Sequence, residues 1–462
     1  MAQALSRRRV DATEGPIFSK MLQFVIPLML TNIMQHLYNM ADNIVVGQFS
    51  GDPFALAAVG STSAYNSLFV NLSLGIAGGA GVIVARNFGA KNQDGISRSV
   101  HTSLALSVII GVAFGVLRFA LAEWGLGLMG TKEELMPNAI LYVGILSAGM
   151  PATVIYAYGA AVLRSVGDSK TPLYAVTVTG VLNIALNLLF VIACDMSVAG
   201  VAIATVIAKA VSALIVLIVL AKRKDEPYAF SFKKLTIDGK MIKDMLYIGI
   251  PSSIQSALFS FTNIFLTAAL NTFPTSVMSA RTIATNIDVL LSTAINTYLH
   301  ASMTFTSQNY GAKKPDRMKK SVLCALLQAG VIGFVVGQLM IIFHEPLVNL
   351  YLAPDDPYRA EVMEYAKQIM VVMLSSYFIG AMMEALSGFL RGLGCSIYSM
   401  IVCIMGVCVF RSLWIFLVFP KIGTLTSLYL VYPISFILTS VGLSIMSVFI
   451  FKKVKKKMLL DS

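Results

Sequence analysis

The stretch QFVIPLMLTNIMQHLYNMADNIVVG, residues 23–47, decides how the rest of the chain is to be read. It is apolar and long enough to cross a bilayer as a helix, yet it carries Asn32, Gln35, His36, Asn39, Asp42 and Asn43. Steps of three, four and three residues from Asn32 through Gln35 and Asn39 to Asp42 place these groups on one helical face. Pro27 removes a backbone donor near the start of the helix and makes a bend cheap, so it is the expected hinge. A carboxylate at the centre of a membrane helix costs roughly 2.5–3.5 kcal/mol on insertion scales, so it faces a cavity or a partner. Asn32 or Asn39 alone fits an ordinary polar seam between helices. Asp42 fits an ion site.

Composition extends this reading to the whole chain. Of 462 residues, 57% are hydrophobic and only 13% charged, against about 25% charged in soluble proteins. The chain is therefore expected to be an integral membrane protein without a soluble domain. The formal net charge of +12 does not point to nucleic acid, because the basic residues sit between apolar spans. Arg7–Arg9 are not followed by a short apolar segment with a cleavage site, so no cleavable signal peptide is expected. The five cysteines show neither metal-ligand spacing nor a disulfide framework. No metal and no cofactor are expected.

Twelve helices are expected, at about 19–46, 54–86, 97–122, 136–161, 171–193, 197–221, 241–271, 276–308, 320–344, 359–389, 395–419 and 424–451. Of the 35 Lys and Arg residues, 27 fall on the side shared by both termini. The opposite loops hold only Lys132, Arg359, Lys367 and Lys421, so both termini are expected in the cytoplasm. The chain also repeats itself. Asn87-Phe-Gly-Ala-Lys91 returns as Asn309-Tyr-Gly-Ala-Lys313, and Asn66 aligns with Asp288 at the same offset of 222 residues. Leu163-Arg164 with Gly167 returns as Leu390-Arg391 with Gly394, offset by 227. The expected fold is all-α, with two pseudo-symmetric six-helix bundles related by an axis along the membrane normal. Their expected bounds are 15–221 and 241–451, joined by a basic cytoplasmic linker at 222–240.

These features together resemble the multidrug and toxic compound extrusion (MATE) family, within its wider exporter superfamily, over essentially the whole chain. The residues that carry the resemblance are Ile26-Pro27, the Asp42 end of helix one and both Asn-aromatic-Gly-Ala-Lys segments. Leu163-Arg-Ser-Val-Gly-Asp-Ser-Lys-Thr-Pro172, Asn183-Ile-Ala-Leu-Asn187 and Val198-Ala-Gly-Val-Ala-Ile-Ala-Thr205 match as well. The resemblance implies export of amphiphilic or cationic organic compounds in exchange for protons or sodium ions, by rocking of two lobes. It also implies an ion-coupling cluster of Asp42, Asn183, Asn187 and Thr205. Helical rise places these four at comparable depth, roughly 6–15 Å from the outer helix ends. Position 187 is commonly Asp in this motif and is Asn here, which tilts the expectation toward protons, with sodium the alternative.

Lys209, one turn beyond Thr205, is expected near Asp42 or in a wet cleft, and with His36 is a candidate tuning group. Gln35, Asn39, Gln255, Asp288 and Asn296 are candidates for the substrate cleft. Asp288 has a competing reading as the partner of a buried arginine, Arg411 or Arg281, and Arg411 one as a structural brace for Glu384 or helix-end carbonyls. His101 and His344 read as surface or interface groups. The expected partners are small organic substrates and the lipid bilayer of the cell (plasma or inner) membrane, with the chain acting as a monomer. A flippase for a lipid-linked oligosaccharide or cell-wall precursor is the alternative function. An enzyme is disfavoured by the lack of any nucleophile motif, metal-ligand cluster or phosphate-binding loop.

Overall fold

Apolar runs of twenty or more residues satisfy their backbone groups internally in lipid only as helices, and the chain folds accordingly. The computed structural model describes residues 9–52, 54–352 and 357–460. Among these residues there are twelve helical spans and no strand. Helices one to three are Ile17–Phe49, Ala55–Gly89 and Gln93–Ala120. The fourth and tenth spans are bent pairs, Glu133–Ala148 with Met150–Ser165 at 50° and Arg359–Leu374 with Tyr377–Gly392 at 41°. Pro151, just inside the second half of span four, lacks the amide that would carry the helix through the bend. Helices five and six are Lys170–Ala193 and Ser197–Lys222; helix nine is Pro315–Ile342, eleven Ser396–Ile422 and twelve Leu425–Leu460. These eight straight helices and two bent pairs are long and apolar enough to cross a bilayer. Helices seven, Gly239–Leu270, and eight, Thr275–Gly311, complete the twelve, and helix eight carries the polar line from Thr285 to His300.

The helices pack as two units. The first comprises the residues up to Asp11 with Leu22–Ser253; the second comprises Ala12–Met21 with Ile254 onward. The divisions at 21/22 and 253/254 fall inside helices one and seven and that at 11/12 lies ahead of helix one, none in the linker, where the expected bounds were 15–221 and 241–451. In the first unit, glycines let helix seven lie directly on helix two. A Cβ at Gly79 would stand 2.2 Å from the Met245 carbonyl oxygen, and one at Gly249 would stand 2.6 Å from Ile76 Cα. The first unit's core is built on Val84, Val100, Val162, Val216 and Tyr228, and the second unit's on Met318, Phe389, Leu390 and Leu443. Large apolar side chains such as Val116, Phe416 and Phe449 are exposed, as a lipid-facing surface requires.

The repeated motifs are helix stops with the same geometry in both units. Lys91 and Lys313 both adopt left-handed backbone, with φ of 55° and 53°. Asn92 N–H bonds the Asn87 carbonyl at 3.1 Å, and Lys314 N–H bonds the Asn309 carbonyl at 2.9 Å. Gly167 and Gly394 do the same at φ of 85° and 76°, closed by Asp168 N–H to Leu163 O and Cys395 N–H to Leu390 O.

The basic segment 222–240 is not a free linker, because it is fastened to the first unit. Arg223 and Asp168 form a buried ion pair, Arg98 pairs with Asp238 at 2.5 Å, and Tyr228 is buried among core residues. His101 is fully buried against this segment, an interface group and not a surface one. Its Nδ1 lies 2.7 Å from the Ser97 carbonyl, and its Nε2 accepts the Ser231 amide at 3.1 Å. That pairing fixes a neutral ring with the proton on Nδ1.

Candidate functional site

Helix one delivers its polar face to a cavity of about 490 Å³ within the first unit. Gln35, His36, Asn39, Asp42 and Asn43 line it, together with Thr205 and Lys209 from helix six. Asp42 is only 6% exposed. Asn187 Nδ2 donates to Asp42 Oδ1 at 2.5 Å, and Thr205 Oγ1 makes a longer contact of 3.5 Å to Oδ2. Asn187 Nδ2 also lies 3.5 Å from Asn183 Oδ1, one turn back on the same helix. The four residues expected to cluster are therefore brought together. Among the described residues, Asn187 Oδ1 and Asn183 Nδ2 have no hydrogen-bond partner. Helix five leaves α-helical geometry directly after Asn187, with a π-helical segment at Leu188–Ala193. Such widened turns recur beside functional groups.

Lys209 donates to the Tyr38 hydroxyl at 2.6 Å, with its ammonium 5.2 Å from the ring centroid. It forms no ion pair with Asp42 among the described residues. Tyr38 lies one turn before Asp42 on helix one, so its hydroxyl intercepts the ammonium. Gln35, which lines the cavity with His36 and Asn39, also hydrogen-bonds Tyr156. At the expected hinge, Thr31 Oγ1 donates to the Pro27 carbonyl at 2.8 Å. Back-bonding of this kind adds to a bend.

Gln255, Asp288 and Asn296 lie in the second unit and do not line this cavity. Gln255 is buried with its Oε1 unpartnered. Asp288 is half-buried and accepts the Tyr377 hydroxyl, with Oδ1 unpartnered. Asn296 is exposed. The reading of Asp288 as an arginine's partner is not met, because no ion pair to Arg411 or Arg281 forms among the described residues. Arg411 instead donates from Nε to Ser435 Oγ at 2.9 Å and stacks 4.2 Å from the Tyr432 centroid. It braces helix twelve, not Glu384, which has Arg391 as its nearby charge. Two cavity-lining groups were missed by sequence reasoning, Arg118 with Asn66 and Tyr142. Intramembrane charge was the one signal that could have marked Arg118.

A stack of membrane-crossing helices around an internal polar cavity with one buried carboxylate defines a multi-pass membrane transporter. The family model described as MatE matches residues 27–189 and 251–417, well over half the chain. The chain belongs to the MatE family. Probable multidrug resistance protein YoeA of Bacillus subtilis (strain 168) is 26% identical over 398 residues, covering 85% of this chain and 84% of that protein. Probable multidrug resistance protein NorM of Thermotoga maritima is 26% identical over 439 residues, covering 90% and 87%. A crystal structure of MATE in complex with MaD3S superposes with a TM-score of 0.87 over 97% of this chain and 99% of that one, at 24% identity. That likeness establishes a shared fold.

Proposed function

We propose that the protein is a secondary antiporter of the cell membrane that exports amphiphilic or cationic organic compounds in exchange for protons. It acts as a carrier and not as an enzyme, works as a monomer, and has both termini in the cytoplasm. The observation that supports this most directly is Asp42, the one carboxylate among the described lining residues, held by Asn187 and Thr205 at the wall of a polar cavity. An ionised Asp42 accepts from Asn187 Nδ2 as observed. A protonated Asp42 needs an acceptor, and half a turn of the same amide presents the unpartnered Asn187 Oδ1. An asparagine can serve both states, where a second aspartate would favour a bound cation. Sodium prefers several hard oxygen ligands, and this site turns N–H and O–H donors toward its single carboxylate.

Two states follow from this chemistry. With Asp42 ionised, its carboxylate offers a cationic group of the compound a direct partner. Proton entry removes that attraction and frees helix one to repack, with Pro27 as the place to bend. The two repeated bundles supply the lobes that rock. Proteoliposomes test the reading. An inward pH gradient should drive efflux of a cationic dye, and the Asp42→Asn protein should lose that coupling. Equal efflux from the variant would overturn the assignment.

A further inference from the structure

Resting on the reading of this cavity as the transport site, we propose that Arg118 receives a carboxylate carried by the transported compound. The substrate class then includes amphiphiles bearing an acidic group, and not cations alone.

Arg118 lies in the last turn of helix three and lines the same cavity as Asp42 and Lys209. It is only 3% exposed. A guanidinium offers five N–H donors, and here their acceptors are few. Among the described residues, one terminal nitrogen donates to Asn66 Oδ1, the other reaches only the Met150 sulfur at 3.8 Å, and Nε has no partner. No carboxylate pairs with Arg118 among the described residues. A buried guanidinium without a counter-ion is costly, and such a group is ordinarily paired.

The internal repeat makes the missing charge specific. Asn66 aligns with Asp288 at the offset of 222 residues, so the first unit carries a neutral amide where the second carries an acid. Asn66 is held in place by its own bond from Nδ2 to Thr62 Oγ1 at 3.1 Å. It thus orients the guanidinium without neutralising it. A helix C-terminus favours a nearby cation, and that accounts for a positive charge at this position. It does not account for burial of a fork whose remaining donors meet no oxygen. Among the described lining residues, Arg118 and Lys209 outnumber the single carboxylate Asp42, so the cavity has room for one more negative charge. A carboxylate meets the planar fork in a bidentate fashion that no other common group matches as well.

The test compares rhodamine B, a xanthylium cation carrying a free benzoate, with its ethyl ester. The two differ only in the acid. Binding to the purified full chain in nanodiscs is read by fluorescence polarisation. The wild-type protein should bind the free acid roughly tenfold or more tightly than the ester. Arg118→Gln should bring that ratio close to one, and Arg118→Lys should keep part of it. A wild-type ratio near or below one would overturn the proposal, as would an unchanged ratio in Arg118→Gln. The wild-type ratio and Arg118→Lys decide the matter if Arg118→Gln does not fold. Proton-driven efflux of the ester is measured separately in proteoliposomes. Acid preference without such efflux would sink the export reading and leave the Arg118 assignment standing.

Discussion

Asn187→Asp restores a second carboxylate against Asp42, and its consequence can be worked from one distance. Asn187 Nδ2 stands 2.5 Å from Asp42 Oδ1. An oxygen there, relaxed outward to about 4 Å, would repel an ionised Asp42 by about 4 kcal/mol at an effective dielectric constant near 20. That is a factor of about a thousand, so the pair will not both carry charge unless a cation sits with them. The variant should therefore become responsive to sodium where the wild type is not. The assay is dye efflux from proteoliposomes at equal pH on both sides, with and without an inward sodium gradient. The wild type should be silent and Asn187→Asp active. If the variant responds to sodium and to external pH just as the wild type does, residue 187 does not touch Asp42 and the described geometry is wrong.

Four further outcomes are expected. Asp42→Asn should abolish coupled export at matched expression while the thermal unfolding midpoint stays close to that of the wild type, because the amide can still bond Asn187. Asp168→Ala should cost about 3–5 kcal/mol by stranding the buried Arg223 guanidinium; the double replacement with Arg223→Met should recover much of the lost midpoint in detergent. The Asp238 carboxyl is held below the ordinary range, first by the Met241 backbone N–H and then by Arg98. Its contribution is therefore present above the unfolded value of about 3.9 and is lost as pH falls through the lower folded value, so the midpoint difference for Asp238→Ala should hold from about pH 5 upward and shrink progressively as pH falls below about 4. Single cysteines at Asp225 and Asp355, in a background lacking the five native cysteines, test the orientation: an impermeant thiol reagent on intact cells should label only position 355, and the reverse pattern would refute it.

Much of the fold was legible because lipid leaves few choices. Apolar runs bounded by charge gave the twelve spans, and the repeated stops at Lys91 and Lys313 are the same left-handed cap in both units. That Asp42, Asn187 and Thr205 meet was implied by the family resemblance, and depth along a helix, which is readable, agreed with it. Rotation about a helix axis relative to a non-neighbouring helix is not encoded in periodicity. That is why Tyr38, and not Asp42, was missed as the partner of Lys209, and why Arg118 was not paired with Asn66. The same gap misplaced Arg411, whose contacts lie across to Ser435 and Tyr432 on the next helix. Segment 222–240 misled for another reason: its charge pattern reads as a solvated linker, while Tyr228, Phe230 and the Arg223–Asp168 pair bury it.

The coupling ion is the central claim, and gradients imposed one at a time on the unaltered protein test it most directly. In sodium-free proteoliposomes, a pH gradient directed inward should drive efflux of a cationic dye. One-for-one exchange of a proton for a monovalent cation moves no net charge, so the pH gradient is the driving force: each pH unit supplies about 1.4 kcal/mol, enough for a concentration ratio of about ten. A sodium gradient at equal pH should drive none. Efflux driven only by sodium would contradict the roles given to Asp42 and Asn187.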